Sequence, residues 1–524
     1  MAVTVEEPAL EEEMVRPAVP SARLGIVVFT AGGATLATEI AASRLLAPYF
    51  GSSTIVWANI IGLILLYLSV GYWLGGKIAD RRPEPRVLGL MILAAAAFIT
   101  ILPFISRPIL DLAIRGLDAV SAGAMVGSFF AALALFAIPV TLLGAVSPFA
   151  IRLAISDVRT AGSVAGRLYA LSTIGSILGT FVAAIVTIPL LGTQRTMVGA
   201  AALLAVAAVL LLGRSWLPAG VTAVALLALP AGSIKPEQGL LYETESAYQY
   251  IQVVEDEDGW RALKLNEGVA VHSLWRPDSV LTGSEWDMFL VLPPLLDRAP
   301  RNLLVIGNSG ATTARAYGRL YPEVAIDGVE IDAEVTEAGR RFLGVDENPK
   351  LRVITADGRP FLRETQNRYD LIAVDAYRQP YIPFYLTTKE FFELARSRLA
   401  PGGMIALNIA AVPGDDRLGR AIGSTMAAVF PHVFGWRALR FNELLIGTTG
   451  ETTREELARR IAALPPELAS LGPPFANGLR EVHVEERPLT DDRAPVEWLT
   501  DGMLIAHIAR SESLDEEFLP TRPR

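Results

Sequence analysis

Between residues 24 and 232 this chain carries a succession of apolar stretches, and that succession constrains its fold more than any other feature. A helix that crosses a bilayer needs about 20 apolar residues. Backbone amides at that depth have no water to bond, so such stretches must be helices that satisfy their own hydrogen bonds. The candidates are Leu24–Tyr49, Thr54–Leu74, Val87–Ile105, Met125–Ile151, Leu168–Leu191, Met197–Leu212 and Leu217–Leu229. About seven segments are expected, with six to eight allowed by the two short ones at the end. The bilayer is therefore an expected partner.

Basic loops orient such a bundle, because Lys and Arg concentrate on the cytoplasmic side. Lys77, Arg81, Arg82 and Arg86 follow the second stretch, and Arg152, Arg159 and Arg167 follow the fourth. Seven spans would put the second half of the chain opposite these loops, whereas six or eight would keep it beside them. Three further features stand out. Glu39 lies within the first stretch with Arg44 five residues on, and ionisable groups at membrane depth are candidate functional residues or a helix-locking pair. Gly71, Gly75 and Gly76, and then Gly175 and Gly179, read as positions where helices touch closely. Pro139 and Pro148 interrupt the fourth stretch.

The chain has 524 residues, 52% of them hydrophobic, and a net charge of −9, so a nucleic-acid partner is not expected. It has no cysteine, which excludes disulfides and thiolate chemistry. Its four histidines are scattered, and no metal site is expected. Residues 1–23 begin with Glu6 and Glu7 rather than a basic run, and read as a disordered acidic tail, not a signal peptide. The division expected is this tail, a multi-pass domain over 24–232, a β subdomain with a linker helix over 233–300, an α/β domain over 301–510 and a tail over 511–524.

Beyond residue 233 charge rises and the pattern changes. Tyr248–Val254 and Ala262–Leu265 read as a hairpin turned by Asp256-Glu257-Asp258-Gly259, and Leu290–Leu296 as a helix. Strands and helices then alternate, which implies a parallel sheet covered on both faces, a Rossmann-like fold. Leu303–Ile306 runs into Gly307-Asn308-Ser309-Gly310, where backbone can approach a ligand. Val324–Ile331 delivers Glu330, placed about twenty residues on to accept ribose hydroxyls. A third strand leads to Asp357-Gly358, placed to receive an adenine amino group, and Leu371–Val374 ends on Asp375, next to a reacting centre. Met404–Ile409 and a pair near Val433–Ile446 complete the sheet.

Longer motifs run through the same region. They are Glu245-Ser246-Ala247-Tyr248-Gln249-Tyr250-Ile251, Leu265-Asn266-Glu267-Gly268, Val329-Glu330-Ile331-Asp332, Asp357-Gly358 and Val374-Asp375-Ala376-Tyr377. Pro401-Gly402-Gly403 and Leu489-Thr490-Asp491-Asp492-Arg493-Ala494-Pro495-Val496-Glu497 follow. With these, residues 242–499 resemble the spermidine synthase (polyamine aminopropyltransferase) family, whose α/β domain is of the methyltransferase type. Glu39, Arg44, Phe50-Gly51-Ser52-Ser53, Trp57 and Leu74-Gly75-Gly76-Lys77-Ile78-Ala79-Asp80 are similar to its membrane-integrated branch.

The resemblance implies transfer of a 3-aminopropyl group from decarboxylated S-adenosylmethionine to an amine, with release of methylthioadenosine and no metal. It implies Asp375 as the catalytic aspartate that binds and deprotonates the amine. Gln249, Gly307, Gly310, Glu330, Asp357 and Gly358 would contact the co-substrate. Tyr248, Trp286, Tyr377 and Tyr381 are candidates for aromatic walls that attract a sulfonium or an alkylammonium. A bacterial inner-membrane location with a cytoplasmic catalytic domain is the expectation, and a homodimer is compatible with it. Three positions depart from the family. Its turn aspartate is Gly310 here, the acid three residues past the catalytic one is Arg378, and its Tyr-His-Glu segment is Glu285-Trp286-Asp287, which leaves Asp287 as the expected acid. These changes keep open intact S-adenosylmethionine as donor and a methyltransferase acting on an amphipathic substrate. A non-catalytic polyamine or nucleoside transporter or sensor is the third alternative.

Overall fold

The computed structural model describes residues 21–51, 54–115, 123–229, 232–266, 270–377 and 381–508. Both tails, Ser52, Ser53, Glu267, Gly268 and Arg378 lie outside the described residues, apart from 21–23, which already belong to the first helix. The chain divides into two compact units, a helical one reaching Ile234 and an α/β one running on from Lys235.

In the helical unit, six helices among the described residues are long and apolar enough to cross a membrane. They are Ala22–Phe50, Val56–Arg81, Pro85–Ala113, Val126–Ala154, Val158–Leu191 and Thr193–Leu212. The expected seventh, Leu217–Leu229, is corrected. Gly213, at φ +90°, ends the sixth helix, and the next helix runs only from Leu217 to Ala225 before one 3₁₀ turn, Leu226–Ala228. At about 1.5 Å per residue such a helix falls well short of a hydrocarbon layer. Asp80 and Arg152, at the ends of the second and fourth helices, pair at 3.2 Å, so those ends share a side.

The glycines work as contact points. A Cβ on Gly175 would sit 2.1 Å from the Phe29 carbonyl oxygen, and one on Gly179 would sit 2.1 Å from that of Gly33. A Cβ on Gly71 would sit 2.3 Å from Thr141 O and one on Gly75 2.5 Å from the Ala145 Cα, whereas one on Gly76 would meet open space. The fourth helix passes through Pro139 and breaks only at Ala145, where the Pro148 ring would press on the carbonyl four residues back. Glu39 and Arg44 are both half-buried on the first helix. Five residues separate them, so they project about 140° apart around it.

The α/β unit opens with four antiparallel strands in chain order: β1 (Leu240–Glu245), β2 (Tyr250–Glu255), β3 (Arg261–Leu265) and β4 (Val271–Trp275). The β2–β3 hairpin turns where expected, with Asp256 Oδ1 accepting from the Asp258 and Trp260 amides at 2.9 and 3.0 Å. A helix, Glu285–Met288, and two 3₁₀ turns, Phe289–Val291 and Pro293–Leu295, replace the single helix expected over Leu290–Leu296. Pro293 and Pro294 have no N–H to continue it.

The main sheet consists of β5 (Asn302–Ile306), β6 (Ala325–Glu330), β7 (Leu351–Thr355), β8 (Tyr369–Val374), β9 (Leu399–Ala410), β10 (His432–Trp436), β11 (Asn442–Thr448) and β12 (Leu479–Glu481). Their order is β12-β10-β11-β9-β8-β5-β6-β7, with β9, β8, β5, β6 and β7 parallel. Both faces are buried. Leu303 and Val305 pack on one side with Leu292 and Tyr317, and Leu304 and Ile306 on the other with Leu362 and Phe391. From β5 the chain builds outward to β6 and β7, then returns to the other flank of β5 as β8. The strand order reverses there, and open α/β sheets bind ligands at the carboxyl ends of the strands beside such a reversal.

Candidate active site

The reversal point is closed by backbone. The Asp375 amide donates to Ile306 O at 2.9 Å, and the Gly307 and Asn308 amides donate to Val329 O at 2.9 and 3.0 Å. Gly307 has φ +86°, and a Cβ there would lie 2.5 Å from Asp375 O. Only glycine lets the ends of β5 and β8 meet this closely. Gly358 serves the next strand end in the same way, since a Cβ on it would lie 2.3 Å from Ile306 Cγ2.

The turn bends further than its glycines alone announce. Ser309 (φ +48°) and Ala311 (φ +65°) are also left-handed, which costs a residue with a Cβ. The strain aims amides. Ser309 N–H donates to Glu330 Oε2 at 2.9 Å, and Gly310 N–H donates to the Ser273 hydroxyl of β4 at 2.8 Å. A side chain at Gly310 would meet Leu343 Cδ1 at 2.5 Å and Ser273 at 2.9 Å, so β4 and its neighbour fill the space an aspartate would need.

Glu330 ends β6 and is buried. Its Oε1 accepts from the Asp332 amide at 3.1 Å. Burial pushes its pKa up to about 7, against the pull of these two amides, and the Asp332 charge adds to the rise. Asp332, the last residue of the Val329–Asp332 motif, is bound into the same network. Its Oδ2 accepts from Ser246 Oγ (2.6 Å) and Gln249 Nε2 (3.2 Å), and its Oδ1 caps the following helix through Glu334 N–H. Gln249 is thereby held beside Glu330. The neighbouring Tyr248 ring is exposed.

Asp357 follows β7 and caps the helix Gly358–Glu364, accepting from the Arg359 amide at 3.0 Å. Its second oxygen accepts from the Tyr385 hydroxyl at 3.1 Å. Tyr385 escapes a reading of the sequence, because it lies in a short 3₁₀ turn, Phe384–Leu386, with no periodic signal.

At the end of β8, Asp375 is half-buried, and its Oδ1 accepts from Asn408 Nδ2 at 3.0 Å. Asn408 is held in turn by Asn442 Nδ2 on its Oδ1 (3.1 Å), and its carbonyl accepts from Tyr377 at 3.0 Å. Burial raises the Asp375 carboxyl to about 6, more than the Asn408 bond lowers it. Burial likewise raises Tyr377 well above the usual phenol range, with the charges of Asp375 and Glu285 contributing.

Glu285 is electrostatically coupled to this end, whereas Asp287, the acid expected from the sequence, turns into its own loop. Asp287 accepts from the Thr282 and Gly283 amides and the Thr282 hydroxyl at 2.8–3.2 Å, so it closes its own loop. Two residues earlier on the same helical turn, Glu285 accepts from Ser284 Oγ. Burial pushes it up to about 7, and the charges of Asp375 and Asp287 raise it further against the Ser284 bond. Two other aromatic candidates have protein partners. Trp286 packs with Trp260 and Leu274, and the Tyr381 hydroxyl donates to Asp501.

Glu330, Asp357 and Asp375 thus sit at the ends of β6, β7 and β8 around the Gly307 turn, with Glu285 electrostatically coupled to Asp375. Buried acceptors with spare lone pairs on one side suit the hydroxyls and amino group of a nucleoside. On the other side, two carboxylates that have one side-chain donor apiece among the described residues, Asn408 and Ser284, suit a cation. Ser309 Oγ, in the same turn, is buried and has no hydrogen-bond partner among the described residues.

Residues 285–435 match the family model described as the spermine/spermidine synthase domain. A probable polyamine aminopropyl transferase of Bifidobacterium longum is 33% identical over 292 residues, which cover 50% of this chain and 63% of that protein. A polyamine aminopropyltransferase of Vibrio vulnificus is 30% identical over 176 residues, covering 32% of this chain and 58% of that protein. The chain therefore spans somewhat less than two thirds of the length of these relatives. Among solved structures, a probable spermidine synthase from Corynebacterium glutamicum aligns with a TM-score of 0.37 and 21% identity, over 49% of this chain and 99% of that one. Within the second half of this chain, residues 285–435 match the spermine/spermidine synthase domain, and the surrounding sequence is similar to polyamine aminopropyltransferases.

Proposed function

We propose that the α/β unit is an aminopropyltransferase of the membrane-integrated kind, which transfers a 3-aminopropyl group from decarboxylated S-adenosylmethionine to an amine. The co-substrate supplies a sulfonium whose neighbouring methylene carbon is electrophilic and whose departure leaves neutral methylthioadenosine. Glu330 accepts the ribose hydroxyls, Asp357 accepts the base amino group, and Gln249 and the Gly307–Gly310 backbone line the approach. Asp375 holds the acceptor nitrogen in line with that carbon. As the new N–C bond forms, the C–S bond breaks and its electron pair goes to sulfur. The nitrogen's extra proton passes to Asp375 and then to water, so charge is conserved. Glu285 replaces anionic contacts that Gly310 and Arg378 no longer offer, and binds an ammonium of the acceptor.

The observation that carries this reading is Asp375 itself. It stands at the strand-order reversal with its carboxyl raised to about 6, near enough to neutrality to exchange a proton at physiological pH. Six spans support a cytoplasmic α/β unit, because an even count keeps it on the side of the basic loops at Arg81 and Arg152. The test is to incubate the full chain with decarboxylated or intact S-adenosylmethionine and a panel of amines, and to identify products by mass spectrometry. Methylthioadenosine together with an aminopropylated amine is expected from the decarboxylated donor. S-adenosylhomocysteine from the intact donor would overturn the reading in favour of methyl transfer, and no product from either donor would overturn it as an enzyme.

A further inference from the structure

The Leu489–Glu497 run is prominent in sequence yet takes no part in the chemistry above. Its place in the fold gives it one. Thr490 and Arg493 pair with each other through both backbone bonds, at 3.1 and 2.9 Å, forming a tight turn that presents Asp491. Asp491 receives both arms of Arg359, Nη1 on Oδ1 at 2.7 Å and Nη2 on Oδ2 at 2.6 Å. Thr388 Oγ1 adds a bond to Oδ1 at 2.7 Å, and the Asp491 amide donates to Glu390 at 3.1 Å. A two-pronged guanidinium–carboxylate pair fixes orientation as well as distance.

Arg359 carries that orientation to Asp357 by two routes. Its own amide is one of the two protein donors on Asp357, and its Nη1 donates to the Tyr385 carbonyl at 3.0 Å. Tyr385 supplies the other donor, its hydroxyl. With one bond on each oxygen, the carboxylate keeps about two of its four acceptor positions for a ligand. Their direction depends on where Tyr385 stands.

We propose that Asp491 is a positioning residue of the nucleobase subsite: by holding Arg359 on the Tyr385 carbonyl, it keeps the Tyr385 hydroxyl on Asp357 and so aims that carboxylate at a purine 6-amino group. The inference rests on the adenosine reading above.

The test is calorimetric titration of the full chain with methylthioadenosine and with its 6-oxo analogue, using Asp491→Asn, Tyr385→Phe, the double variant and Arg359→Lys. Each single change is expected to weaken methylthioadenosine about tenfold and to reduce the preference for the amino over the oxo base. The double variant is expected to be no worse than Tyr385→Phe, because the two residues act in series. The KM for the amine should not change. Additive losses, or a loss of thermal stability with base preference intact, would overturn the proposal. Should Asp491→Asn fail to fold, Arg359→Lys decides by the same two readouts. A wild-type chain that binds neither nucleoside would instead overturn the adenosine reading from which the proposal starts.

Discussion

On the nucleoside side of the crevice, Glu330 accepts two backbone amides and Asp357 accepts an amide and a phenol, whereas on the reacting side Asp375 holds one amide group and Glu285 one hydroxyl. Glu330, Asp357 and Asp375 sit at strand ends of one sheet, and Glu285, on a helical turn, is electrostatically coupled to Asp375. The first pair is oriented by the fold on both oxygens, as recognition of a neutral, shaped ligand requires. Among the described residues the second pair has one side-chain donor per carboxylate, and its two charges are electrostatically coupled. Such carboxylates lie at a high free energy until a cation arrives, and an amine brings both a positive charge and N–H donors. Burial alone does not separate the two sides, since Glu330 and Glu285 both rise to about 7. On the proposed function, what separates them is which groups can lower that cost: ribose hydroxyls for Glu330, an ammonium for Glu285.

The two sides should part most sharply at Asp375. Asp375→Asn keeps the shape and removes the base, so kcat is expected to fall about 10²–10⁴-fold in a product-release assay. Next in size is Glu330→Gln. It removes a charged acceptor for the ribose, and methylthioadenosine affinity measured by calorimetry should fall about tenfold or more while the amine KM holds.

Glu285→Gln should do the reverse, raising the amine KM about tenfold with nucleoside affinity unchanged. Its pH behaviour sharpens the point. The carboxylates must be ionised to bind and deprotonate the amine, so kcat/KM is expected to rise with pH through two coupled steps, near 6 and near 7. Glu285→Gln should remove the upper step. The smallest effect is on stability. A carboxyl raised in the folded state contributes stability that is present at low pH and lost as pH rises from its ordinary value through about 7. Gln does not titrate, so the variant should melt higher than the wild type at pH 8 and no higher at pH 4, as scanning calorimetry can measure.

Much of this arrangement was legible in the sequence. The central strands announce themselves because both faces of β5, β6 and β8 are buried, which leaves apolar runs bounded by glycine and acids. Their three terminal carboxylates follow from chain order alone. The flanking strands were not legible, since β1 (Leu-Leu-Tyr-Glu-Thr-Glu) and β12 (Leu-Arg-Glu) are mostly half-buried or exposed and carry no run to detect. Choosing between Glu285 and Asp287 depended on rotation about a single helical turn. Two positions on a helix differ by about 200°, so one acid is electrostatically coupled to Asp375 and the other bonds its own loop. The apparent seventh span failed for a different reason. Its composition is apolar, but the left-handed Gly213 and the 3₁₀ turn at Leu226 cap its length. Tyr385 bonds a partner distant in sequence, Asp357, and no local pattern marks it; Asp332 closes the Val329–Asp332 motif, but its partners Ser246 and Gln249 lie far from it in sequence.

The most direct test of the division between the two sides is calorimetric titration of methylthioadenosine into the Asp375→Asn variant, beside an assay of its turnover. Affinity within about twofold of the wild type is expected with turnover lost, because Asp375 serves the amine and not the nucleoside. Loss of nucleoside affinity in step with turnover would contradict that division, and would make Asp375 part of the binding frame instead.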